Sequence, residues 1–284
     1  AIGPLFAAAR AAPVGGAELE FTVLGSSSAG NASVLRVREG AHERQILIDA
    51  GLSPRMTRGR MAALGLDFAR TTEILFTHFD HDHARDGWGR VARETGLALR
   101  CARRHFRQAI ARGYPEANLA CFESDGGALD LGPVQAAACE NPHDDGATVA
   151  FRFTAAAGSL GFATDVGRVS RRLVDALRGV DLLAIESNYD PVMQRESARP
   201  AQLKHRIMGG RGHLSNEECL SAVREIAFPD EPAHIVLLHL SRECNHPDAV
   251  HALWRSASPS LAGRLVLAQP FDPIAPIRLG GAAP

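Results

Sequence analysis

Ile74-Leu75-Phe76-Thr77-His78-Phe79-Asp80-His81-Asp82-His83 is the stretch on which the reading of this chain turns. A short apolar run of strand type ends at Phe76, and five of the seven residues that follow are side chains that bind metal ions. So many imidazoles and carboxylates are expensive to bury unless a cation compensates them, and a solvated surface loop has no use for that density.

Working outward, single His and Asp residues recur at or just beyond the ends of other apolar runs. They are His143 in Asn141-Pro142-His143-Asp144, Asp165 in Phe162-Ala163-Thr164-Asp165, and His239 in Ile235-Val236-Leu237-Leu238-His239. Alone, each is readable as a satisfied core histidine or a turn aspartate. At strand ends that converge on one rim they outline a two-metal site.

The surrounding pattern predicts strands over 20–24, 33–37 and 45–49, a helix after Ser53, and an amphipathic helix over 86–95 stopped by Gly96. Further strands are expected over 148–153, 160–164, 181–186 and 234–239, with helices over 169–177, 215–227 and 247–256. Strand-rich and helix-bearing segments occur in both halves without the alternation of a doubly wound sheet. A sandwich of two sheets flanked by helices fits this order.

Composition narrows the function. With 45% hydrophobic and 22% charged residues the 284-residue chain can bury a large core, and 31 basic against 32 acidic side chains exclude a polybasic coat. Lys204 is the one lysine, so the basic residues are otherwise arginine. Cys101, Cys121, Cys139, Cys219 and Cys244 are scattered and form no C-x-x-C pair, which points to buried thiols in a reducing cytoplasm. No apolar run reaches the roughly 20 residues that span a bilayer. The alanine-rich start reads as a flexible leader over 1–18, not a signal peptide, followed by one domain over 19–284.

The strings Leu24-Gly25-Ser26-Ser27-Ser28-Ala29-Gly30-Asn31, Leu47-Ile48-Asp49-Ala50-Gly51, Glu186-Ser187-Asn188-Tyr189-Asp190, Leu203-Lys204-His205-Arg206-Ile207, Gly212-His213-Leu214-Ser215-Asn216 and Leu238-His239-Leu240-Ser241, together with the His/Asp stretch, resemble the metallo-β-lactamase-fold hydrolases. Within them the chain is similar to the YycJ/WalJ-like branch, regarded as DNA exonucleases. The resemblance implies an α/β (α+β) fold, a four-layer αββα sandwich of two mixed β-sheets flanked by helices. It also implies two divalent metal ions, zinc, manganese or iron, on His78, Asp80, Asp82, His83, His143, Asp165 and His239. Asp49 matches the fold's structural aspartate beside the metal loop and is not expected to be a ligand.

Two positions depart from the pattern. Asp80 stands where the motif has its second histidine, and Tyr189 where the branch tends to have histidine. A carboxylate in place of an imidazole hardens the first subsite, favouring manganese, iron or magnesium over zinc. His81 could replace Asp80 if the loop were re-registered, or only the second metal could be retained. Adjacent side chains leave a turn in different directions, which favours Asp80.

In such a centre two cations sharing Asp165 would acidify a water between them and polarise a phosphodiester oxygen. Asp82 and His213 are the candidates for catalytic roles, His213 as donor to the leaving oxygen. Ser215 and Glu218 also have the spacing of a helix capping box, so this string could serve only to start a helix. Asn31, Arg211 and Ser215 are candidates for substrate binding. Arg206 and Arg211 before His213, and Arg168, Arg171 and Arg172 after Asp165, could rim the same centre and grip phosphate.

The serine-rich string around Ser27 lacks the last glycine of a nucleophile elbow and precedes a strand, which argues against both a serine hydrolase and a dinucleotide loop. The expected function is a phosphodiesterase acting on DNA, with no membrane partner. Hydrolysis of a small ester, thioester or cyclic phosphodiester is the second reading, and a decayed metal-binding regulatory protein the third. A β-lactamase proper is disfavoured, because such enzymes are exported. The aromatic content is only 6%, so a stacking platform for single strands is not evident.

Overall fold

The sequence around β1 (Glu18–Gly25) alternates Leu19, Phe21 and Val23 on one face with Glu20, Thr22 and Leu24 on the other. That period of two sets one face against a second sheet and the other toward helices. The computed structural model describes residues 17–144 and 146–279. The expected leader therefore lies outside the described residues except at its end, where Ala17 is buried and Glu18 already belongs to β1.

β1 is followed by β2 (Ala32–Glu39), β3 (His42–Ile48), β4 (Thr71–Leu75), β5 (Ala98–Ala102) and β6 (Leu119–Phe122). The second sheet holds β7 (Ala128–Asp130), β8 (Gln135–His143), β9 (Gly146–Ala155), β10 (Gly158–Ala163), β11 (Leu182–Glu186), β12 (His234–Leu238) and β13 (Leu265–Leu267). β14 (Ile277–Leu279) returns to the first sheet, giving the orders β14-β1-β2-β3-β4-β5-β6 and β13-β12-β11-β10-β9-β8-β7. Each sheet is antiparallel on one side and parallel on the other, from β3 to β6 and from β10 to β13.

Parallel neighbours need crossovers, and helices supply most of them. On the first sheet these are α1 (Pro54–Ala63), capped by Ser53, and α2 (Gly87–Thr95), with α3 (Phe106–Ala111) following β5. α2 ends at Gly96 in the left-handed conformation, φ 72°, as the sequence predicts. On the second sheet they are α4 (Arg171–Leu177), α5 (Pro191–Glu196), α6 (Ala201–Met208), α7 (Asn216–Ile226), α8 (Pro247–Ala257) and α9 (Pro259–Ala262).

Three buried clusters define the four layers. Phe21, Leu35, Ile48, Phe151, Phe162 and Leu238 pack between the sheets. Leu47, Ile74, Phe76 and Trp88 join the first sheet to its helices, and Leu183, Ile185, Leu237 and Trp254 do so for the second. Strands buried on both faces read as continuous apolar runs, which is why β11 and β12 are legible in sequence.

The segment between Gly96 and Thr148, and that between Glu186 and Gly212, hold elements the sequence pattern did not predict. β8 contains Ala136, Ala137, Ala138 and Pro142 and no β-branched residue, so only its pairing with β9 makes it a strand. α5 and α6 are short and largely polar, and a small cluster of Tyr189, Ile207 and Cys244 holds them.

Candidate metal centre

Among the described residues, four other than glycine have left-handed backbones: Asp49, φ 60°, Asp144, φ 42°, Asp165, φ 52°, and His239, φ 55°. Asp and His tolerate this region better than most residues, and such conformations gather at functional sites. Each lies at or just past a strand's C-terminal end, where the chain bends out of its sheet. Asp165 after β10 and His239 after β12 thereby reach the rim on which the loop after β4 presents His78, Asp80, Asp82 and His83.

All seven expected ligands converge there. Potential ligand atoms lie within 4.8 Å of one another in the groups His78, Asp80 and His143, then His78, His83 and Asp165, and then Asp82, His83 and His239. Asp165 occupies the middle, with Oδ2 3.0 Å from His83 Nε2 and Oδ1 3.6 Å from His239 Nε2 and 3.9 Å from His143 Nε2. Asp80 Oδ2 is 3.8 Å from His78 Nε2, whereas His81 is exposed with Nδ1 3.4 Å from the Arg112 guanidinium.

The imidazoles are oriented from behind. His83 Nδ1 donates to Asp49 Oδ2 at 2.8 Å and His143 Nδ1 to the Gly212 carbonyl at 2.8 Å. His78 Nδ1 lies 2.9 Å from Thr77 Oγ1, which donates to Asp49. With their Nδ1 protons engaged from behind, these rings would turn Nε2 lone pairs toward a bound cation, the tautomer a metal ligand needs. His78 Nε2 is buried with no hydrogen-bond partner, a cost that a bound cation removes. The donor set therefore fits divalent cations, and Asp49 is a support of the kind expected from sequence.

Charge is balanced within the cluster. Burial opposes ionisation of Asp165, yet His239 and His83 hold its carboxyl well below the usual carboxylate range. Burial likewise opposes a charge on His83, but Asp165, Asp49 and Asp82 raise it well above the ordinary imidazole value. Asp82 also overcomes desolvation, held at about 2 by His83 and His239. Asp80, half-buried, is raised, chiefly by desolvation.

Glu186 was not singled out as a site residue in the sequence. Fully buried at the end of β11, it places Oε1 2.6 Å from His213 Nδ1 and joins Asp165, His213 and His239 as a group. Against the burial that would discharge it, His213 is raised to about 9 by Glu186 and Asp165. An acid at the end of a buried strand is the same kind of signal that picked out Asp165, but only the fold, by bringing His213 onto it, distinguishes Glu186.

Two substrate-binding candidates are occupied otherwise. Ser215 Oγ accepts the Glu218 backbone N–H at 3.2 Å and Glu218 returns a bond, so this buried residue caps α7. Asn31 is buried under the metal loop, its Nδ2 3.0 Å from His83 Nε2 and its Oδ1 accepting from Ser26 and Ser27. Both shape the site from behind instead of facing a substrate.

A cleft of about 1030 Å³ opens beside His78, Asp80 and His143, with Arg104, His105, Gln108, Arg206 and Arg211 among its lining residues. The expectation that both arginine groups rim the centre is corrected. Arg168 and Arg171 line a separate depression with Glu218 and Glu225, and Arg172 pairs with Asp125. Arg104 reaches the cleft from the unpredicted segment after β5.

Comparison with known proteins agrees with this geometry. The model of the β-lactamase superfamily domain matches residues 44–240. The chain is 31% identical over 229 residues to exodeoxyribonuclease YycJ of Bacillus anthracis, covering 80% of this chain and 84% of that protein. It is 29% identical over 236 residues to exodeoxyribonuclease WalJ of Streptococcus pneumoniae, covering 82% and 85%. The metallo-β-lactamase fold protein YhfI from Bacillus subtilis superposes with a TM-score of 0.65 at 16% identity, over 91% of this chain and 99% of that one. A diphosphatase of the PhnP family superposes at 0.63 and 18% identity, over 92% and 98%. At such identities the two solved structures establish the fold alone. Strand order and sequence similarity along most of the chain together place this protein in the β-lactamase superfamily, in the branch of YycJ and WalJ.

Proposed function

We propose that the protein is a metal-dependent phosphodiesterase acting on DNA, as an exonuclease. The observation that carries this reading is the convergence of His78, Asp80, Asp82, His83, His143, Asp165 and His239 at the mouth of a cleft lined by Arg104, Arg206 and Arg211. The names of its YycJ and WalJ relatives support DNA as the substrate. Its free cysteines accord with a cytoplasmic setting, and no helix among the described residues is long and apolar enough to cross a membrane.

His78, Asp80 and His143 would hold one divalent cation and Asp82, His83 and His239 the other, with Asp165 shared. When bound, such ions supply Lewis-acid polarisation of a phosphoryl oxygen and acidify an attacking water. Asp82 orients that water through its carboxylate. Arg211 and Arg206 grip the non-bridging phosphate oxygens from the cleft wall. His213, its Nδ1 engaged by Glu186, donates from Nε2 to the leaving oxygen.

Arginine-bearing walls favour an anionic polymer over a neutral ester or thioester. The position of Asp80 beside His78 and His143 favours a working centre over a decayed one. The test is metal content per chain after purification without chelator, paired with hydrolysis of an aryl phosphodiester and of end-labelled DNA in manganese. Two metals with manganese-dependent shortening of DNA are expected. One metal or none, with neither substrate cleaved, overturns the reading.

A further inference from the structure

Phe271 holds its ring out to water, 62% exposed, on a segment whose backbone is braced on both sides. Ser26 N–H donates to the Gln269 carbonyl at 3.2 Å, Arg60 to the Pro270 carbonyl at 2.9 Å, and Ile274 N–H to the Val23 carbonyl at 2.9 Å. Over the ring lies Arg242, with Cζ 5.2 Å from its centroid. Arg242 is itself exposed and, among the described residues, makes no ion pair.

Both residues are linked to the metal centre through His239. Arg242 follows His239 by three positions. Ser26 accepts the His239 backbone N–H at 2.8 Å while donating its own to Gln269, so one residue separates a ligand's backbone from the Phe271 segment. Gln269 to Phe271 spans at most about 7 Å of extended chain. A shallow depression of about 410 Å³ beside Arg242, lined by Ser28, Ala29, Arg199, Arg242 and Glu243, shares none of its lining with the large cleft.

We propose that Phe271 and Arg242 form a stacking clamp that holds a base of single-stranded DNA on the rim, at a site separate from the phosphate-gripping cleft. The proposal rests on the DNA reading above and adds the strand state and the second contact surface. An aromatic ring accepts any base, and the guanidinium beside it supplies cation–π contact and a phosphate partner in one side chain. Low aromatic content is no obstacle, since one ring placed within a few nucleotides of the scissile phosphate anchors the strand. A braced backbone keeps the ring in place before DNA arrives, which lowers the cost of ordering it.

The experiment compares wild type, F271A, F271W and R242A in manganese, on an oligothymidylate of about 12 nucleotides and on methyl 4-nitrophenyl phosphate. F271A is expected to raise KM for the oligonucleotide roughly 5- to 150-fold, the range for one base–aromatic stack, with kcat and the small phosphodiester unchanged. F271W should keep the wild-type KM. Because Trp88 and Trp254 are buried, the indole introduced by F271W should dominate the change when the oligonucleotide quenches emission. Unchanged KM in F271A while wild type cleaves DNA overturns this proposal alone. So does an equal loss on both substrates, or an elution volume that shifts in F271A and marks the ring as a contact between copies. A wild type that leaves the oligothymidylate untouched while shortening end-labelled duplex DNA overturns the clamp alone, and one that cleaves neither overturns the DNA reading and the clamp with it.

Discussion

Glu186 Oε1 lies 2.6 Å from His213 Nδ1, a buried acid from the end of β11 paired with a histidine from the loop that enters α7. The contact ties β11 of the second sheet to the general acid proposed above. Its consequence is that the two residues act as a unit. E186Q, which keeps the shape and removes the charge, is expected to lower kcat about 100-fold or more with KM and metal content little changed. The double variant E186Q/H213A should be no slower than H213A alone. Steady-state kinetics with metal analysis checks this, and fully additive losses would contradict it.

The same pair contributes, beside His83, to how the metal-free protein responds to pH. His213, raised to about 9 in the fold, lies above the ordinary imidazole value near 6.5 in the unfolded chain. Its contribution to stability is therefore full below about pH 6.5 and is lost as pH rises through about 9. The melting temperature of chelated protein should fall across that window, and E186Q should flatten the fall. Saturating metal, which requires neutral imidazole ligands, should raise the melting temperature most at the alkaline end.

Asp165 touches His83, His143, His213 and His239, more of the cluster than any other carboxylate in it. D165A is expected to reduce bound metal from two ions to one or none and to lower phosphodiester hydrolysis at least about 1000-fold. Metal content and turnover measured on the same preparation decide it.

Asp80 and His81 separate by their surroundings, since Asp80 faces His78 and His143 while His81 faces solvent and Arg112. D80A should lose one metal per chain, and H81A should lose none. D80H should shift retention toward zinc relative to manganese, because imidazole is the softer donor. Titration of chelated protein with each metal provides the readout, and loss of a metal in H81A would reassign the ligand.

Beneath the metal loop, a Cβ added at Gly51 would stand 1.7 Å from the Asp82 carbonyl oxygen and 2.6 Å from Asn31 N. Three segments cross there, with Gly51 N–H donating to Asn31 O and Asn31 N–H to Asp82 O. G51A is expected to cost about 3 kcal/mol and to lower the melting temperature by roughly 6–12 °C. Thermal unfolding of metal-free protein measures this apart from metal binding.

The run from Ile74 to His83, the isolated His143, Asp165 and His239, and the apolar strands preceding Asp165 and His239 are legible along the chain. Burial on both faces makes such strands apolar throughout, and metal chemistry restricts the residue types that end them. Glu186 was passed over because one acid at a strand end is unremarkable until a histidine 27 positions later is folded onto it. Ser215 and Asn31 were read as facing substrate because sequence does not show which way a side chain points once its hydrogen bonds are satisfied.

Local sequence thus determined the fold class, the candidate metal-binding side chains and the sites of the principal strands. Only the tertiary structure decided which arginines share the cleft, that Asp80 and not His81 faces His78, and that the Phe271 segment is tied through Ser26 to the backbone of His239. These are long-range relationships, set by two sheets packing face to face and by backbone turning at strand ends, and no local periodicity encodes them.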